Sequence, residues 1–413
     1  MVSSVGRIAA LAVLSCSTAA WAGASDPQEF TQIERGRYLS ILSDCASCHT
    51  VPDSGRPFAG GRAIETPFGN IVAPNITPDL ETGTGAWSDA QFDDAVRHGV
   101  GRNGSHLYPA MPYNAYTKMS RDDVLAIRAY LNTVTPVSNA VVANTLPFPF
   151  NIRASLGVWN SLYFKDGEYR ANSSQPAQWN RGAFLVDGPG HCGACHTPKT
   201  MLGGDKADQY LQGAYLQGWS APDITGDARL GLGRWSEADV VAYLKSGHNR
   251  VTAATGPMGE VVTLSTAKMT DPDLAAIATY LKSLPGRSQA PSALPADDPA
   301  MIAGGAIYHD QCSACHGLDG KGVNELFPSI ADSSMVRSDD PTTSIHLVLR
   351  GARSVQTPSQ ETGPGMPSYG RQLDDAQVAG VLTYMRNSWG GAAVPVTSAQ
   401  VSKVRSDTAQ RAD

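Results

Sequence analysis

The chain has 413 residues, of which 42% are hydrophobic and 17% charged, with a formal net charge of −6. That composition is globular and leaves no disordered or fibrous bias, and the length has room for several domains. A mild acidic excess is the opposite of the basic patch that a phosphate backbone requires, so nucleic acid is excluded as the expected partner.

Arg7, the apolar run Ile8 to Leu14 and Ala20-Trp21-Ala22 read as a secretory signal peptide over residues 1–22, with Cys16 inside it. The mature chain is then exported and starts near Gly23. No other apolar run is long enough to cross a bilayer, so any membrane attachment is peripheral. Residues 27–147 form a first unit. It opens with a helical stretch around Arg35-Gly36-Arg37-Tyr38-Leu39, reaches Cys45-Ala-Ser-Cys48-His49, and closes with an amphipathic helix from Asp122 to Leu131 carrying Tyr130. Residues 148–179 are an aromatic-rich connector containing Phe148, Phe150, Trp159, Tyr163, Phe164, Tyr169 and Trp179. These rings either pack the first unit on the second or form a docking surface for a partner.

A second unit, 180–286, repeats the plan with Arg181-Gly182-Ala183-Phe184-Leu185, Cys192-Gly-Ala-Cys195-His196 and a closing helix with Tyr280. Asn75-Ile76-Thr77 and Trp87-Ser88 return as Asp223-Ile224-Thr225 and Trp235-Ser236. A Pro-rich linker, 287–299, leads to a shorter third unit, 300–390, with Gly304-Gly305-Ala306-Ile307-Tyr308, Cys312-Ser-Ala-Cys315-His316 and a closing helix with Tyr384. Residues 391–413 read as a polar tail. Strand signals are sparse and each unit carries a Cys-x-x-Cys-His segment, the covalent haem-attachment signature, so the expected fold is all-α: three tandem class I cytochrome c domains, the first and last helix of each crossing where a glycine permits close approach.

The cysteines carry the chemistry. The six that remain after export form three Cys-x-x-Cys pairs, each followed at once by histidine. This is the signature of covalent haem attachment. Two thiols bond the two vinyl groups on one porphyrin edge, and the adjacent imidazole swings under the ring to bind iron. A zinc ribbon needs its two pairs about 15–20 residues apart, whereas Cys45 and Cys192 are separated by 147 positions. A redox dithiol has no use for a histidine after every pair. Three covalently bound haem c groups are therefore expected on Cys45/Cys48, Cys192/Cys195 and Cys312/Cys315, with His49, His196 and His316 as proximal iron ligands. Met111, Met258 and Met366, each in a Pro/Gly-rich stretch read as a loop, are the expected distal ligands. Met119, Met269 and Met385 fall in or beside helical patterns and read as core.

The assembled pattern, from about Glu34 to Trp389, resembles the triple-haem cytochrome c subunits of bacterial periplasmic dehydrogenases for alcohol, gluconate and fructose. Its most specific parts are Asn75-Ile-Thr-Pro-Asp, Gly85-Ala-Trp-Ser-Asp, Leu107-Tyr-Pro-Ala-Met-Pro-Tyr, Phe148-Pro-Phe, Gly190-His-Cys-Gly-Ala-Cys-His-Thr-Pro-Lys and Thr255-Gly-Pro-Met. The resemblance implies a separate catalytic dehydrogenase subunit with a flavin, quinone or molybdenum cofactor. This chain would take its electrons and pass them to ubiquinone or a terminal acceptor, on the periplasmic side of the cytoplasmic membrane. Some relatives attach there through an amphipathic C-terminal segment; Val396 to Asp413 has no broad apolar face. No substrate-oxidising site is expected on this chain. The competing readings are a free multi-haem shuttle and a haem peroxidase, the latter requiring an open iron position that three methionines would block.

Overall fold

The computed structural model describes Met1, residues 27–324 and residues 326–409. Apart from Met1, the expected signal peptide, Cys16 included, lies outside the described residues.

The first repeat runs α1 (Pro27–Leu42), the single turn α2 (Cys45–His49), a hairpin of β1 (Ala63–Thr66) and β2 (Gly69–Val72), then α3 (Asp89–His98), α4 (Tyr113–Tyr116) and α5 (Arg121–Leu131). A connector helix, α6 (Leu156–Tyr163), follows. The second repeat contains α7 (Ala177–Asp187), α8 (Gly193–His196), the hairpin β3 (Gln212–Leu216) and β4 (Trp219–Asp223), α9 (Glu237–Ser246), α10 (Gly256–Leu264) and α11 (Asp271–Ser283). The third has α12 (Pro299–Gln311), α13 (Ser313–His316), α14 (Thr342–Arg350), β5 (Ala352–Arg353), β6 (Gly365–Met366), α15 (Asp375–Asn387) and α16 (Ser398–Thr408).

The all-α expectation is therefore overturned, because each repeat holds a two-stranded antiparallel hairpin. These strands are too short to show a period-2 pattern. The turn residues between β3 and β4, Gln217 and Gly218, both have positive φ (51° and 81°), the backbone that a tight two-residue hairpin needs.

The helices start where the sequence supplies caps. Ser88, Ser120, Ser236, Asp374 and Thr397 each close a capping box at the head of α3, α5, α9, α15 and α16. First and last helices cross at the expected glycines. A Cβ on Gly36 would sit 1.7 Å from the Ala126 carbonyl oxygen, on Gly182 2.0 Å from that of Ala276, and on Gly304 2.1 Å from that of Gly380. Only glycine lets the backbones approach this closely. In the first two repeats an arginine beside the glycine binds the acid in the first turn of the closing helix: Arg35 to Asp123 (2.6 Å) and Arg181 to Asp273 (2.8 Å).

The first two repeats share a continuous apolar core, from Leu42, Val124 and Ile127 across to Leu185, Leu274 and Ile277. The connector straps them together. Trp159 packs edge-on against Tyr113 and donates its indole N–H to the Leu202 carbonyl (3.0 Å), while Trp179 packs on Tyr280 and donates to Ser283 (2.7 Å). Phe148, Val158 and Leu162 nevertheless face solvent. The third repeat has a separate core around Tyr308, Ile345, Val378 and Leu382. The expected polar tail contributes to it: α16 buries Val401 and Val404, and its Arg405 binds Asp375 (2.8 Å).

Candidate functional site

In the first two repeats a tight corner precedes the cysteine segment, whereas in the third Cys312 follows α12 directly with right-handed backbone. Asp44 (φ 47°) and His191 (φ 36°) take the left-handed conformation just before Cys45 and Cys192. The segment then closes into a helical turn. His196 N–H donates to the Cys192 carbonyl and His316 N–H to that of Cys312, both at 3.0 Å. A helical turn puts residues i and i+3 on one face, so both thiols of a pair point the same way. All six cysteines are unbridged; Cys315 is exposed and the others are half-buried. Burial pushes the Cys45 and Cys192 thiols up to about 12 and that of Cys312 to about 11. A redox-active dithiol needs a lowered thiol pKa, so these pairs are poor in that role.

The three histidines share a constraint. His49 Nδ1 lies 2.8 Å from the Pro74 carbonyl, His196 Nδ1 2.7 Å from that of Pro222, and His316 Nδ1 3.0 Å from that of Pro328. A carbonyl only accepts, so Nδ1 carries the proton and Nε2 is left with a lone pair for a metal. Burial pushes all three imidazoles toward the neutral form that a ligand must have.

The hairpins explain how the first two carbonyls arrive. Pro74 lies two residues past β2, and Pro222 is within β4. Sequence reasoning missed these prolines. The signal was one residue upstream of a motif it did use: Pro74-Asn75-Ile76 returns as Pro222-Asp223-Ile224, and again as Pro328-Ser329-Ile330. Asn75 and Asp223 then make the same local turn, accepting from the backbone N–H and hydroxyl of Thr77 and Thr225.

Met111, Met258 and Met366 are all half-buried. Met111 and Met258 pack on the shared core alongside Cys45 and Cys192, and Met366 packs on the third core alongside Cys312. Met111 lies in a loop, as expected, whereas Met258 is in the first turn of α10 and Met366 in β6. Met119, Met269 and Met385 are core residues, as their helical spacing indicated.

These residues fit haem. Paired thiols on one face would supply two thioether links, a neutral imidazole would supply one iron ligand, and methionine sulfur is available in the same cluster. The second repeat also buries polar atoms without a protein partner, among them Trp235 Nε1 and His248 Nε2.

The sequence model of the cytochrome c family matches residues 33–135, 180–285 and 301–389. The chain belongs to the cytochrome c family. Haem c, covalently bound, is therefore its cofactor. Within the family it groups with cytochrome c subunits of dehydrogenases. It is 40% identical to the gluconate 2-dehydrogenase cytochrome c subunit of Pantoea cypripedii, over 93% of this chain and 92% of that one. It is 38% identical to the cytochrome c subunit of the alcohol dehydrogenase (quinone) of Komagataeibacter europaeus (90% and 84%). It is 36% identical to the fructose dehydrogenase cytochrome subunit of Gluconobacter japonicus (90% and 82%).

Proposed function

We propose that this cytochrome holds three haem c groups and works as the electron-transfer subunit of a dehydrogenase complex. It accepts electrons from a catalytic subunit that carries a flavin, quinone or molybdenum cofactor, and delivers them to ubiquinone or a terminal acceptor. The observation that carries this reading is the threefold recurrence of one cluster: paired thiols, an imidazole steered by a proline carbonyl, and a nearby methionine.

In this reading Cys45/Cys48, Cys192/Cys195 and Cys312/Cys315 anchor the haems, while His49/Met111, His196/Met258 and His316/Met366 cap the irons. Bound haem supplies one-electron iron chemistry. The chain's residues do the rest. The proline carbonyls hold Nδ1–H and so orient each imidazole, and the methionines block entry of small substrates, which disfavours a peroxidase.

The site of action is the periplasmic face of the cytoplasmic membrane, reached by export and kept by peripheral association. Among the described residues no helix is long and apolar enough to cross a membrane. The aliphatic and aromatic side chains that the connector leaves exposed suit contact with the catalytic subunit.

The test is expression in a host that attaches haem c. Iron and haem assays should give three per chain, with a low-spin six-coordinate spectrum. Met111→Ala, Met258→Ala and Met366→Ala should each turn one haem high-spin. Fewer than three haems in fully matured protein overturns the count. Purification without any dehydrogenase subunit from the native host would favour a free shuttle.

A further inference from the structure

We infer that Arg62 and Glu260 form a potential-setting clamp at the seam between the first and second haem sites, with Arg62 a positioning residue for the first attachment helix. The inference rests on the electron-transfer reading above and deepens it.

Arg62 stands immediately before β1. Its Nη1 donates to the carbonyl of Ser47, the residue between Cys45 and Cys48 that precedes the second thiol. The same guanidinium grips the Glu260 carboxylate in a two-pronged pair, with Nη2 2.8 Å from Oε2. Glu260 lies two residues past Met258 on α10. One arginine thus ties α2, which anchors the first site, to the helix that presents the candidate distal ligand of the second. The corresponding positions before the second and third hairpins are Leu211 and Gly351, so this cation belongs to the seam and not to the repeat.

The seam is tight beyond this pair. Tyr116 donates its hydroxyl to the Ser43 carbonyl (2.6 Å) and packs edge-on against His191 at 5.5 Å, linking the residues just before Cys45 to the residue just before Cys192. The charges of Arg62 and Glu260 both act on the Cys48 thiol and on the buried Asp44 carboxyl, which also faces Lys268. Cys195 of the second site in turn senses Cys48 and Asp44.

The pair's electrostatic role has a definite sign. An oxidised iron carries one more positive charge than a reduced one, so a nearby anion lowers the potential and a nearby cation raises it. In the intact pair the two charges nearly cancel at the first site. Exchange between the first and second sites moves one electron, oxidising one site as the other is reduced, with no bond made or broken. The clamp sets the driving force for that exchange.

The experiment is a spectroelectrochemical titration of the full-length, haem-loaded chain, with the first site's midpoint assigned by the component that Met111→His displaces. Arg62→Gln leaves Glu260 uncompensated and should lower that midpoint. Glu260→Gln leaves Arg62 uncompensated and should raise it. The double variant should return toward the parent value. Both shifts should shrink at high salt, because each side chain is about a third exposed. Lys403→Gln, at an exposed side chain of α16 paired with Asp407, should change nothing. A purely structural role would move both single variants the same way; that result, or no shift in either, overturns the inference. If Arg62→Gln does not mature, Arg62→Lys keeps the charge and loses the two-pronged geometry, and its midpoint should stay near the parent's; a fall as from charge loss overturns the assignment. A haem-loaded chain whose irons accept no electrons would instead sink the electron-transfer reading itself.

Discussion

The first two repeats and the third solve the same problem with different degrees of independence. Repeats one and two bury a common apolar core, and α1 of the first reaches into the second, where Tyr38 donates to Asp273 (2.7 Å). The third repeat keeps its own core and meets the second through a seam of mainly polar contacts, among them Thr343 with the Ser220 backbone, Trp219 stacked on His346, Arg229 with Asp339, the Ser329 and Val355 N–H groups on the Val251 and Ala254 carbonyls, and Thr357 on the Ser246 carbonyl. Even the acid at the head of the closing helix is treated differently. In the first two repeats it is bound from the first helix, whereas in the third it is bound by Arg405 from α16. The fused pair should therefore unfold as one body and the third repeat as another.

The severest break of that comparison is removal of an anchor. Cys192→Ser with Cys195→Ser should cost the second haem and weaken retention of the first, because both line one core. Cys312→Ser with Cys315→Ser should cost the third haem alone. Haem per chain after purification separates the two outcomes. Next come the crossing glycines. Gly182→Ala forces a methyl against a carbonyl and should cost at least about 1–3 kcal/mol, the range for overpacking. In calorimetry it should lower the transition of the fused pair, and Gly304→Ala should lower the other transition only.

On the third repeat, Val401→Ala opens a gap beneath α16 and should cost roughly 1–3 kcal/mol in that transition alone. Acid provides a milder contrast. At Asp239 and Asp273 burial opposes ionisation. Hydrogen bonds from Ser236 and Arg250 to Asp239, and from Arg181 and Tyr38 to Asp273, outweigh it and hold both carboxyls below the ordinary range. Their stabilisation is complete above the unfolded value of about 4 and drains away as pH falls through the lowered values. Circular dichroism below that pH should show the fused-pair transition weakening, and Asp273→Asn should remove part of the dependence. The smallest effect is expected of Ser236→Ala, about 1 kcal/mol for the lost cap of α9, again confined to the fused pair.

Much of the site was legible because haem attachment leaves a mark in covalent order: a thiol pair and a histidine must be neighbours in sequence before they can be neighbours in space. The crossing glycines were legible for a related reason, since they recur at a fixed place relative to that mark. The hairpins were not. Strands as short as Ala352–Arg353 have no periodicity to read, and β3 and β4 include Gly213 and Pro222, which look like turn residues. The docking of α16 was hidden because Val401 and Val404 make a narrow stripe on an otherwise polar helix. It suffices only because α14 and α15 already offer a surface. The settings of Met258 and Met366 were misjudged for the same reason, as glycine and proline beside each methionine signalled a loop where helix and strand ends in fact lie.

The proline carbonyls that steer the three imidazoles have a genetic consequence. Every amino acid has a main-chain oxygen, so no single replacement at position 74, 222 or 328 can delete the acceptor; it can only shift the chain that carries it. The steering of each imidazole is thus buffered against point mutation in a way that a carboxylate partner would not be, and drift at these positions should show itself as altered loop shape before it shows as loss of a proposed iron ligand.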